Sequence, residues 1–127
     1  MYQYRKNYFN DCKYVCWEDV IDKINHEYLH GSHKVIAKNN DFPSLVLHNN
    51  YYPKTLQVAY DEVRRDCNVR ELHVYLSFVK RSSTFGRHCD RMDVIIVQSI
   101  GSMAYTFDDG SEVTMNPGDS LFIPKGV

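Results

Sequence analysis

Apolar residues recur at helical spacing over residues 17–29, at Trp17, Val20, Ile21, Ile24, Tyr28 and Leu29. That period predicts an amphipathic helix, with Gly31 as its stop. A second helix is predicted over 55–66, where Leu56, Ala59, Tyr60 and Val63 share one face and Arg64 and Arg65 complement the C-terminal end of the dipole. Between them, 33–38 and 44–48 read as two short strands around the turn-forming Asn39-Asn40-Asp41-Phe42-Pro43, and Tyr51-Tyr52-Pro53 is a further break. Residues 2–10 read as a short edge strand or an irregular arm. From Val69 the period shortens. Strands are predicted over 72–78, 93–98, 103–107, 113–115 and from Ser120 onward. Asp108-Asp109-Gly110 marks a hairpin. Pro117-Gly118 supplies the centre of a type II turn, capped by Asp119. Many short strands with regular turns predict a mainly β sandwich or barrel over 69–127, preceded by an α/β extension over 1–68.

A length of 127 residues suits one domain with a modest core. Hydrophobic residues make up 43% and charged residues 24%, the balance of a globular chain. A formal net charge of -1 offers no basic footprint, so no nucleic-acid partner is expected. No apolar run reaches membrane-span length, and the first residues lack a secretory segment, so a cytoplasmic, intracellular setting without membrane contact is the expectation. Cys12 and Cys16 are spaced C-x-x-x-C, with Cys67 and Cys89 far away; zinc sites use tighter pairs, so these read as plain thiols. The ten tyrosines lack an accompanying basic patch and read as wall residues rather than a stacking platform for bases.

Two stretches carry candidate chemistry. In Phe85-Gly86-Arg87-His88-Cys89-Asp90, just before an apolar strand, His88 and Asp90 stand two residues apart. On extended backbone they face one way and Cys89 the other. A His and a carboxylate so placed supply two of the three ligands of a 2-His-1-carboxylate iron centre. The second stretch, His26-Glu27-Tyr28-Leu29-His30, is a literal H-E-x-x-H, which on a helix offers two His for zinc and Glu27 as general base. Here Gly31 follows at once, which puts His30 in the last turn, and no third-ligand motif follows. A zinc hydrolase is therefore the least favoured reading.

The order of the Tyr75-Leu76-Ser77 strand, His88-x-Asp90, Asp93-Val94 through Gln98, the turn at Gly101, and Pro117-Gly118-Asp119 through Ile123-Pro124-Lys125-Gly126 resembles the JmjC-like branch of the cupins, especially its bacterial ribosomal-oxygenase-like subgroup. The resemblance covers about residues 72–127. It implies a double-stranded β-helix (cupin or jelly-roll barrel) and an Fe(II)-dependent dioxygenase lineage. His88 and Asp90 would be metal ligands, with Tyr75, Gln98 and Met103 lining the cavity. Two departures stand out. The family's second metal-binding His falls about two residues past Val127, so the expected barrel is C-terminally incomplete. Met103 occupies the position of the cation that pairs with 2-oxoglutarate, and a thioether makes no charge-assisted hydrogen bond, so binding of that cosubstrate is expected to be weak or absent. No catalytic residue is assigned. The alternative reading is a non-catalytic cupin-fold binding or assembly module. A strand missing beside the one bearing His88 would leave an open edge, so a homodimer is expected, with His33 or His48 of a second copy as candidate third ligands.

Overall fold

The structure, a computed structural model, describes residues 1–30, 33–36, 44–78 and 90–127. It is mainly β: eight short strands form three antiparallel sheets, accompanied by two α-helices and one 3₁₀ turn at Asn10–Tyr14. β1 (Gln3–Arg5), β8 (Ser120–Ile123) and β5 (Val94–Val97) make the first sheet, in the order β1-β8-β5. β2 (His33–Ile36), β3 (Ser44–Leu47) and β4 (Val74–Ser77) make the second, and β6 (Met103–Thr106) pairs β7 (Glu112–Met115) in the third. Among the described residues these sheets do not close into a barrel. The arm at residues 2–10 does hold a short edge strand: Tyr4 of β1 lies opposite Leu121 of β8, and Tyr2 stacks on Phe107 with ring centroids 3.9 Å apart.

The helices, α1 (Trp17–His30) and α2 (Thr55–Asp66), occupy the predicted stretches. α2 buries the predicted face through Leu56, Ala59 and Val63, which join Phe9, Cys12, Val15 and Val20 in one core cluster. Strand alternation then divides β5: Ile95 and Val97 pack against this helical cluster, while Ile96 packs against a second cluster of Val113, Met115 and Leu121.

α1 departs from the usual reading of its period. The residues it buries are Asp19, Val20, Lys23 and Glu27, while Trp17, Ile21, Tyr28 and Leu29 remain exposed. The physical reason lies in what the buried charges hold. Lys23 and Glu27, one turn apart, have side chains fully closed to solvent and form an ion pair at 3.0 Å. The Lys23 ammonium donates to the carbonyls of Asn49 and Tyr51 at 2.6 and 2.8 Å and lies over the Tyr52 ring. Glu27 accepts the backbone N–H groups of His48 and Asn49. Burial pushes the Lys23 ammonium below its ordinary value, against which Glu27 pulls it back up. Asp19 works in the same way, accepting the N–H and the hydroxyl of Thr55 at the start of α2. α1 is thus turned toward backbone groups in the 48–55 segment that need partners. Ile24 and Val20 keep the edge of its apolar stripe in the core.

The C-terminal turns follow the predicted chemistry. Gly110 has φ +86 and Gly118 φ +92, as the hairpin and the type II turn require. Asp119 N–H donates to the Asn116 carbonyl at 2.9 Å, and the Asp119 carboxylate caps the turn by accepting Asn116 N–H at 2.9 Å. The same carboxylate accepts Asn7 N–H and the Tyr4 hydroxyl, both at 2.7 Å, and so ties β1 to the turn before β8.

Candidate functional site

The segment entering β5 is held by the turn that leaves β8. Gly126 N–H donates to the Asp90 carbonyl at 2.9 Å, and Lys125 N–H donates to the Asp93 carboxylate at 2.9 Å. Two widely separated pieces of the sequence motif therefore meet: the H-x-D-x-x-D end and the Ile-Pro-Lys-Gly end. The Asp90 side chain is exposed beside them. His88 and Cys89 lie outside the described residues, as does the expectation that His88 and Asp90 face one cavity with Cys89 turned away.

Tyr75, on β4, stands near Asp90. Its phenol is held above the ordinary value, first by burial of part of the side chain and then by the Asp90 carboxylate, which opposes a second negative charge. Tyr105, on β6, is raised in the same sense by burial and then by Tyr75. Tyr105 and Met103 lie two residues apart on one face of β6. Tyr105 joins the second core cluster with Ile96 and Ile123, and Met103, 44% exposed, sits at the open end of that face opposite Met115. Tyr75 is thus near Asp90 and Tyr105 near Tyr75, and Met103 shares the face of Tyr105.

Gln98 is arranged differently. Its side-chain amide donates to the Ile100 carbonyl at 3.0 Å, and its backbone is bonded on both sides to the Pro-Gly-Asp turn, from Gly118 N–H at 2.9 Å and to the Asp119 carbonyl at 3.1 Å. Its position in this structure is that of a turn anchor. Tyr105 is the lining residue that the sequence reading did not single out. Period-2 alternation from Met103 was the available signal.

The donor set fits part of a cation site. Asp90 is an accessible carboxylate on a main chain fixed by Gly126, and the nearby Tyr75 phenol adds an oxygen donor. Among the described residues, no three His, Cys, Asp or Glu side chains gather as a metal-holding group.

The H-E-x-x-H stretch is occupied by other work. Glu27 is sealed from solvent and already accepts from Lys23, His48 and Asn49, so no oxygen is left to take a proton from a water. His26 stacks on Tyr51 at 4.0 Å with its Nδ1 buried and unpartnered, and its ring lies 4.3 Å from that of His30. Of the cysteines, Cys12, Cys16 and Cys67 are free thiols; burial pushes Cys12 up to about 12, with Glu62 adding to the effect. No helix among the described residues is long and apolar enough to cross a membrane. Comparison with known proteins adds no relative: no family model, no curated protein and no solved structure matches this chain.

Proposed function

We propose that this chain is a JmjC-like cupin module that binds a divalent metal ion of the Fe(II) class through Asp90 and His88, as the remnant of an oxygenase centre. The observation that carries this reading is the placement of Asp90: an accessible carboxylate, its backbone pinned by Gly126, near Tyr75. Nested pairing supports the fold assignment, since β8 returns beside β5 and flanks the β6–β7 hairpin, the antiparallel scheme from which jelly rolls are built. A bound iron would supply oxygen activation for hydroxylation. The chain's own contribution is to fix the Asp90 carboxylate and to present the Tyr75 phenol near it. No described cation stands on the Met103–Tyr105 face of β6, so an anionic cosubstrate such as 2-oxoglutarate has no partner there.

A non-catalytic assembly module is the second reading, favoured by the apolar β5 edge. Among the described residues β5 ends the first sheet, and its four residues are all β-branched and uncharged, with neither Lys nor Pro to block pairing. A homodimer joined along β5 is the partner state this supports.

Calorimetry with Mn(II) tests the first reading. Binding that is lost in Asp90→Ala and in His88→Ala is the expected result. Binding indifferent to both variants, or no binding at all, leaves the assembly reading in its place. Light scattering at micromolar concentration tests the dimer, and a stable monomer of about 15 kDa would reject it.

A further inference from the structure

A second imidazole pair stands on the β3–β4 sheet, whose Tyr75 lies near Asp90. The register of β3 and β4 sets Leu47 opposite Val74, so one step further His48 falls opposite His73. Their ring centroids are 4.2 Å apart and the planes are inclined by 58°. The Glu71 carboxylate lies 3.6 Å from Nε2 of His73. Both backbone positions are anchored: His48 N–H donates to Glu27 at 3.0 Å, and the Tyr52 hydroxyl donates to the Leu72 carbonyl at 3.0 Å, between Glu71 and His73.

We propose that His48 and His73 chelate one borderline divalent transition-metal ion, Zn(II) in the first instance, with Glu71 as the carboxylate that orients His73. Imidazole suits such ions, and zinc takes each nitrogen at about 2.0–2.1 Å. A carboxylate on the Nε2 side of His73 leaves its Nδ1 as the nitrogen for metal; metal-bound histidines usually meet a carboxylate through the other ring nitrogen. Small rotations of two rings already in contact bring one nitrogen of each onto a common ion. The remaining coordination positions go to water, so the site requires no three-ligand group, of which the described residues hold none. His48 is exposed and His73 partly so, which gives the ion a way in. The bound ion would clip the end of β3 to the start of β4, directly above the Lys23–Glu27 pair.

Zinc titration of the full chain, followed by calorimetry and thermal unfolding, tests this site separately from the one at Asp90. One zinc equivalent that depends on His48 and His73, and a rise in Tm, are expected. His48→Ala and His73→Ala should each weaken binding at least tenfold, and Glu71→Gln should weaken it by about 10–100-fold. His26→Ala should retain it. For wild-type protein, zinc should shift the imidazole NMR signals of His48 and His73, a readout independent of whether any variant folds. The proposal is overturned if those signals stay unmoved by zinc, or if the His48→Ala/His73→Ala double variant binds zinc like wild type.

Discussion

Glu27 beneath α1 and Leu121 in β8 are equally closed to solvent, yet they hold their surroundings by opposite means. Around Leu121 the β8 sheet and the β6–β7 hairpin share an apolar cluster, and charge enters once, through Asp119 at the turn. Around Glu27 the helical half relies on carboxylates that accept from backbone N–H groups. Glu27 serves 48–49, Asp19 serves Thr55, and Glu62 of α2 accepts the N–H groups of Asp11 and Cys12 at 3.1 and 3.2 Å. The lesson concerns irregular chain. Among the described residues no strand pairs with the 48–55 and 7–15 segments, and side-chain oxygens accept several of their donors in place of a ladder. A charge removed from such a place leaves several groups unpaired, whereas a methyl removed from the β8 cluster leaves a cavity.

The largest expected effect tests that contrast directly. Glu27→Ala leaves the Lys23 ammonium buried without its counter-ion and two N–H groups without acceptors, and should destabilise by about 3–5 kcal/mol in urea unfolding. A loss below about 1 kcal/mol would mean that the helical half does not depend on its buried charges. Leu121→Ala should cost about 3 kcal/mol through cavity formation, with no change in pH dependence. Gly118→Ala comes next, at about 2 kcal/mol. Its φ of +92 disfavours any side chain, and a Cβ there would stand 2.7 Å from Asn7 Oδ1 and 3.4 Å from the Phe9 carbonyl. A neutral result would show that the β1 arm gives way freely.

Acid sharpens the same comparison. Burial alone would raise the Asp119 carboxyl, but the hydrogen bonds from Tyr4, Asn116 and Asn7 outweigh it and hold the group below its ordinary value. Asp19 is lowered too, chiefly by its bonds from Thr55. Both therefore add stability above the unfolded carboxylate pKa of about 3.9, and that stability is lost as pH falls through the lower folded values. Asp119→Asn should flatten this part of the stability curve below about pH 4; an unchanged acid limb would remove Asp119 from the account. The smallest effect is expected at the outward stripe of α1. Trp17 is 40% exposed and stacks on Phe78 at 5.8 Å, so Trp17→Ser should change stability by about 1 kcal/mol or less.

Element positions were legible because they depend on local rules. The period of 3.6 placed both helices, and the positive-φ demands of the two turns fell on Gly110 and Gly118. The cap at Asp119 could be read from its place after Pro117-Gly118. The Asp90 end of the motif was legible as a pattern; where its neighbours lie was not, since Tyr75 comes near it from another sheet and Gln98 is engaged in its own turn.

Sequence by itself determined where chain direction changes, which stretches coil and which extend, because those depend on neighbours a few residues away. Only the tertiary structure decided which face of α1 turns inward. Hydrophobic period favours Trp17, Ile21 and Tyr28, but the unpaired donors and carbonyls of 48–55 lie far along the chain, and their demand for partners cannot be counted from residues 17–30 alone. The same holds for His48 and His73: 25 positions separate them in sequence, and antiparallel register alone sets one ring against the other.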